Sequence, residues 1–354
     1  MRRTWQCGNY WQMPRLWMRH EVRPTERRAP IVPADAGRLV RHGFDVTVEA
    51  SPQRAFPIEE YAAAGCRIAA AGSWVDAPRD HFVVGIKELP DEPAALVHRH
   101  VYFGHAYKEQ AGADKLLRRF VAGGGELLDL EYLVDERGRR LAAFGYWAGY
   151  VGAALAVLRL RGRLAPLEPL SRDALDAALR PATGDAPVKA LVIGALGRSG
   201  RGATDALTVA GAETTAWDVA ETRQLDRPAL LAHDLLVNAV LTNAPVPPFL
   251  TPADLDTPGR RMSVVADVTC DVTSDCNVLP IYDAHTSWQE PARRLRDGEP
   301  PVDIIAIDNL PSLLPEEASV AFSAELTPQL ALLGTDAAPW RRCLADFHSA
   351  IANV

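Results

Sequence analysis

The segment that most constrains this chain is Lys189-Ala-Leu-Val-Ile193, an apolar run that enters Gly194-Ala-Leu-Gly197-Arg-Ser-Gly200-Arg-Gly202 and passes straight into a helical pattern. Glycines at a strand-to-helix junction permit a tight turn and let backbone N–H groups at the positive end of a helix approach a phosphate. The spacing is GxxGxxG, looser than the strict GxGxxG fingerprint, so a glycine-rich turn without ligand also fits it. Asp218 closes the next strand, Thr214–Trp217, and stands 24 residues after Gly194. A carboxylate there accepts hydrogen bonds from both ribose hydroxyls of a dinucleotide and repels a 2′-phosphate, which favours NAD over NADP. Arg223 nearby weakens that preference, and a solvated strand-end acid is the alternative.

The rest of the chain carries the same strand–helix rhythm. Strands are expected at Leu16–His20, Asp45–Glu49, His81–Lys87, His100–Ala106 and Leu127–Leu133, with helices at Pro33–His42, Ile58–Ala64 and Ala113–Val121. After a Pro-punctuated connector containing a helix at Arg172–Leu179, a second series runs Lys189–Ile193, helix Gly202–Ala210, Thr214–Trp217, Leu235–Val240, Ser263–Val268 and Asp303–Ile307. Alternation of this kind predicts an α/β fold with parallel, doubly wound sheets, and 354 residues suffice for two such domains. Residues 1–13, rich in Trp, Gln and Arg, read as an unordered extension.

Composition narrows the function class. With 38 basic and 45 acidic residues the chain lacks the basic excess that nucleic-acid binding needs. The 18 residues Leu141–Leu158 carry no charge, but glycines and aromatics sit in their middle, so they read as a strand end and a buried helix, not a bilayer span. Five scattered cysteines fit neither metal spacing nor a disulfide framework, and no apolar stretch follows Arg2 and Arg3. A cytoplasmic location, no metal and no membrane partner are expected.

In the first half, two strand ends carry reactive groups where open α/β sheets build their sites. Lys87 follows His-Phe-Val-Val-Gly-Ile, and a desolvated lysine there serves as acid or base. His105 ends the next strand and shares its rim if the two strands are neighbours. Glu88, beside Lys87, and Glu131, in Asp-Leu-Glu-Tyr-Leu, are carboxylates able to tune them, and Arg28 is a candidate bidentate clamp for a carboxylate. Taken singly, each of these also reads as a solvated surface group or a satisfied core polar group.

Together with Ala71-Gly-Ser-Trp-Val-Asp-Ala-Pro-Arg79, Gly85-Ile-Lys-Glu-Leu-Pro90, His105-Ala-Tyr-Lys-Glu-Gln-Ala-Gly112, Arg139-Arg-Leu-Ala-Ala-Phe-Gly145 and Asp308-Asn-Leu-Pro-Ser-Leu-Leu-Pro315, these segments give the chain a family likeness. From about Leu16 onward it resembles the NAD-dependent, lysine-forming saccharopine dehydrogenases of the alanine dehydrogenase-like superfamily. The resemblance implies two Rossmann-like domains with a cleft between them: residues 14–145 with 318–354 for substrate and catalysis, and 146–317 for NAD. It implies oxidation of saccharopine, a secondary amine, to an imine, then hydrolysis to lysine and 2-oxoglutarate, by a monomer acting on small molecules alone.

By the same resemblance Lys87 is the general base and His105 activates water. Arg28, Lys108, Gln110 and Arg140 contact substrate, and Glu88 and Glu131 tune the catalytic pair. Gly194, Gly197, Arg198, Ser199, Gly200, Asp218, Thr222 and Asp308 contact the nucleotide. Ser199 stands where some relatives carry a cysteine, and Arg99 and Asn309 stand where relatives differ. The competing readings are an alanine dehydrogenase or related amino-acid dehydrogenase, and a non-catalytic NAD-binding protein.

Overall fold

The computed structural model describes residues 13–107, 112–242, 244–272, 274–352 and 354; residues 1–12 of the N-terminal extension, and Lys108 and Gln110, lie outside the described residues. The chain divides into two compact units, one running to Ala143 and resuming at Ser319–Val354, the other Phe144–Ala318.

The first unit is built on six parallel strands: β1 (Arg15–Met18), β2 (Asp45–Glu49), β3 (Arg67–Ala69), β4 (His81–Val84), β5 (Arg99–Tyr102) and β6 (Glu126–Asp129). Their order is β3-β2-β1-β4-β5-β6, so the winding reverses at β1. Helices α1 (Pro33–Arg41), α2 (Ile58–Ala63) and α3 (Ala113–Gly123) connect them. β4 is buried throughout, as a central parallel strand must be.

In this unit β4 stops at Val84, β5 at Tyr102 and β6 at Asp129, each earlier than its apolar run predicts, as does β1 at Met18. Lys87, His105 and Glu131 therefore stand on the loops that follow the strands. The first stop has a packing cause, because a Cβ on Gly85 would meet the Arg19 guanidinium at 2.5–2.8 Å, so the chain turns where only glycine fits.

The second unit opens with α4 (Gly145–Leu160), which holds most of the uncharged segment and lies in the core of this unit with Tyr150, Val151 and Ala153–Val157 nearly or fully buried. α5 (Arg172–Leu179) follows. The sheet comprises β7 (Lys189–Ile193), β8 (Glu213–Trp217), β9 (Leu235–Asn238), β10 (Val264–Asp267), β11 (Arg293–Arg296) and β12 (Val302–Ile305), in the order β11-β12-β10-β9-β7-β8. β11 runs antiparallel at the edge, a departure from the all-parallel expectation. Its sequence, Arg-Arg-Leu-Arg, has no apolar stripe to announce it, and charge is what an exposed edge strand needs.

α6 (Arg198–Val209) begins four residues before the expected Gly202, directly on the glycine loop. It packs against α4 at backbone contact: a Cβ on Gly149 would strike the Ser199 carbonyl, and one on Gly202 the Tyr146 carbonyl. The short helices α7 (Val219–Thr222) and α8 (Arg227–Leu231) precede β9. At the C-terminus, α9 (Pro315–Leu330) and α10 (Ala338–Ile351) were not read from the sequence. Within the first unit, Ser319 and Ser323 accept the N–H groups of Ala29 and Val32 at 2.8 and 3.0 Å, and α10 packs on β6 and α3.

Candidate active site

In the first unit the reactive groups gather on loops at one edge of the sheet. β4 and β5 pair in parallel, and their loops remain joined, with Gly85 N–H donating to Val101 O at 3.0 Å and Phe103 N–H to Ile86 O at 3.2 Å. Lys87 is half-buried; its carbonyl accepts from the Arg19 guanidinium, and no hydrogen bond or ion pair engages its ammonium among the described residues. It lines a small recess, partly open to solvent, with Arg19, His20, Glu21, Glu26 and Glu88. Glu88 is largely exposed, and its carboxylate approaches Arg23 at 3.9 Å.

His105 sits in the left-handed region, φ 49°, a conformation that costs about 1–3 kcal/mol for a non-glycine residue and persists only where its surroundings enforce it. Two contacts do so. The ring stacks on Phe103, with centroids 6.3 Å apart, and Nδ1 lies 3.0 Å from Glu131 Oε2. The other Glu131 oxygen accepts from Arg140 at 2.7 Å, giving an Arg140–Glu131–His105 chain that leaves Nε2 as the working nitrogen.

Asp129, which the sequence reading passed over, is fully buried behind this chain and accepts the Glu131 N–H at 2.9 Å. Burial pushes its carboxyl up to about 6, against the opposing pull of that N–H and of His105. Arg28 is 3% exposed and forks onto Glu26, Nε to Oε1 at 2.7 Å and Nη2 to Oε2 at 2.6 Å. Glu26, also missed, is thus the acid that shapes this part of the recess. Its signal in sequence was only its place two residues before an arginine.

The second unit carries the phosphate loop. Gly194 has φ 83°, and a Cβ on it would meet Val240 at 2.9 Å, while a Cβ on Gly200 would collide with the Gly194 carbonyl. Gly197 is the exposed N-cap of α6, whose first turn holds Arg198, Ser199 and Gly200 and no acid, so nothing in that turn neutralises its positive end. Asp218 lies beside this loop. Its carboxylate accepts Leu196 N–H at 3.0 Å and Val219 N–H at 2.8 Å, while Glu221 accepts the Asp218 N–H at 2.7 Å. Thr222 donates its hydroxyl to Asp218 O at 2.9 Å. Each Asp218 oxygen keeps a lone pair for a ribose hydroxyl, and the exposed glycine turn leaves room for a pyrophosphate, so these residues fit a dinucleotide. Asp308 is exposed on the loop after β12. Among the described residues no cluster of His, Cys, Asp or Glu could hold a metal, and no helix is long and apolar enough to cross a membrane.

Comparison with known proteins decides the family. The chain is 39% identical to a saccharopine dehydrogenase (NAD(+), L-lysine-forming) from Emericella nidulans, over 96% of this chain and 98% of that one. It is 40% identical to the protein of the same description from Neurospora crassa, over 96% and 97%. The chain belongs to the saccharopine dehydrogenase family.

Saccharopine dehydrogenase membership agrees with the fold. Residues 17–151 match the alanine dehydrogenase/PNT N-terminal domain family. Among solved structures, an L-alanine dehydrogenase superposes with a TM-score of 0.67 at 16% identity, covering 95% of this chain and 94% of that one. A transhydrogenase from Sinorhizobium meliloti gives 0.64 at 18% identity, over 90% and 94%. At such identities these two show a shared fold and nothing of substrate.

Proposed function

We propose that this chain is an NAD-dependent oxidoreductase that oxidises saccharopine at its C–N bond, with lysine and 2-oxoglutarate as products. The observation that carries this reading is the full-length identity of about two residues in five to lysine-forming saccharopine dehydrogenases. The local chemistry of both units supports it. The first unit is the substrate and catalytic domain and the second the nucleotide domain in this reading, with a cytoplasmic location.

Lys87, whose side-chain nitrogen is engaged by no partner among the described residues, takes the proton from the secondary amine as the neutral amine and becomes the ammonium. NAD, when held by the residues of the second unit, would supply the acceptor for the hydride on the adjacent carbon. His105, held at Nδ1 by Glu131, then uses Nε2 to activate the water that adds to the imine carbon. Arg140 fixes Glu131 in that role and, with Lys108 and Gln110, contacts the carboxylates of the substrate, while Arg28, expected to clamp a substrate carboxylate, is committed to Glu26 and acts by holding that acid in place. Glu88 tunes the charge around Lys87. Gly194, Gly197, Arg198, Ser199 and Gly200 hold the pyrophosphate, while Asp218, Thr222 and Asp308 hold the nucleoside ends.

The direct test mixes the purified protein with NAD and saccharopine, and separately with NAD and alanine, and follows the absorbance of reduced nicotinamide. Turnover of saccharopine alone is expected; turnover of alanine alone overturns the assignment. Asp218→Ala is expected to weaken NAD much more than NADP, because ribose hydroxyls lose their acceptor while a 2′-phosphate loses a repulsive neighbour. Titration of both nucleotides checks this, and parallel losses would count against ribose recognition by Asp218.

A further inference from the structure

The recess lined by Lys87 contains one imidazole, His20, and it belongs to neither the base nor the water-activating chain. His20 stands two residues beyond β1 and Lys87 three beyond β4, and these strands are parallel neighbours with Met18 opposite Val84. The Arg19 guanidinium ties the two loops together, donating to His20 O at 3.3 Å and to Lys87 O. Both residues line the same recess, which has room for about one water molecule.

His20 is also anchored from behind. Its Nδ1 lies 2.7 Å from Glu49 Oε2, and the Glu49 side chain has no exposed surface. Burial alone would push the Glu49 carboxyl up, but hydrogen bonds from His20, Trp17 and Gly72 outweigh it and hold the group below its ordinary value. The Gly72 N–H lies 3.0 Å from Nδ1 and 2.9 Å from Glu49 Oε2; the ionised carboxylate is the stronger acceptor and takes both that N–H and the Nδ1 proton of the neutral imidazole, which leaves Nε2 a lone pair. Nε2 has no partner among the described residues, and 22% of the side chain is exposed. The charged groups around it are Glu49 on β2, Arg19, Glu21, Arg23 and Glu26 after β1, and Lys87 and Glu88 after β4.

We propose that His20, oriented by Glu49, carries the proton of Lys87 out to solvent. The inference rests on the reaction proposed above. Oxidation of a protonated secondary amine by NAD gives an iminium, reduced nucleotide and one proton, and water addition with product release restores an ammonium on lysine. The released proton passes first to the Lys87 amine. To reset, the Lys87 ammonium gives it, directly or across the one water, to His20 Nε2. The resulting imidazolium stands against the Glu49 carboxylate, and its exposed edge returns the proton to water or buffer. No bond other than N–H and O–H changes, and Lys87 and His20 both end as they began.

His20→Asn tests this, because an asparagine amide N–H overlays Nδ1 and can still reach Glu49 while no titrating nitrogen remains. In weak buffer, kcat for saccharopine oxidation is expected to fall at least about tenfold, toward the lower end of the roughly 10²–10⁴-fold that positioned proton transfer contributes. KM should change by no more than about twofold, which separates a proton carrier from a substrate ligand. Added imidazole should restore most of the lost kcat. Unchanged kcat in weak buffer, a loss that imidazole does not repair, or a loss confined to KM would each overturn the proposal. Should His20→Asn not fold, His20→Gln is read in the same way. Failure of the wild-type protein to oxidise saccharopine would instead sink the reaction assignment, and the relay would then be measured with the secondary amine that the protein does oxidise.

Discussion

Replacing Lys87 with methionine is expected to lower turnover by roughly 10²–10⁴-fold, the usual contribution of a positioned acid or base, while reduced nucleotide binds nearly as before. Methionine keeps most of the length and apolar stem of lysine and removes only the amine. The loop should survive the change, because its tether to Arg19 uses the Lys87 carbonyl, and because Gly85 and Phe103 are held by backbone bonds to Val101 and Ile86. The nucleotide residues lie in a separate compact unit built on its own six-stranded sheet, so their affinity has no cause to move. Steady-state rates paired with a fluorescence titration of the reduced nucleotide separate the two effects. Near-normal turnover would remove Lys87 from the chemistry, and an equal loss of nucleotide affinity would mean that the substitution disturbed more than a proton.

How much of this was legible beforehand depended on whether a residue's role is local. Asp45–Glu49, Arg172–Leu179 and Lys189–Ile193 have the expected boundaries, since apolar periodicity and flanking breakers decide them within a few residues. β11 and α10 were invisible for the opposite reason. The first is an edge strand of arginines, and the second is fixed by packing on β6 and α3, more than 200 residues away in sequence. Lys87 and His105 stood out at the ends of apolar runs, and Glu131 as the acid inside one. Glu49 did not, because it reads as one more polar residue in an alternating strand, although its carboxylate meets donors from Trp17, His20, Gly72 and Trp74. Alternation reports which face a side chain takes, and here both faces are buried, the polar one included. Arg28 shows the same limit: a lone arginine suggests a clamp, and only coordinates reveal that Glu26 already fills its fork.

Glu49→Gln is the stability change with the largest expected effect, about 3–5 kcal/mol, the range for breaking a buried charged pair. The wild-type carboxylate receives Trp17 Nε1 at 2.9 Å and Trp74 N–H at 2.5 Å on Oε1, and His20 N–H, His20 Nδ1 and Gly72 N–H at 2.7–2.9 Å on Oε2. An amide of the same shape keeps one acceptor and turns an N–H₂ group toward donors on the other side, leaving buried N–H groups unmet at about 1–3 kcal/mol each. Since a domain's whole stability is only about 5–15 kcal/mol, the variant should unfold at markedly lower denaturant. The dependence on pH has a definite sign. Folding lowers the Glu49 carboxyl below its ordinary 4.5, so its contribution is complete above that value and is lost as pH falls through the lower folded value. Glutamine does not titrate, and the gap between wild type and variant should therefore be widest at neutral pH and shrink in acid. Urea unfolding across that interval reads it directly. A gap that stays constant into acid, or one below about 1 kcal/mol at neutral pH, would mean that the five donors are satisfied without the charge and that Glu49 does not fix the His20 ring.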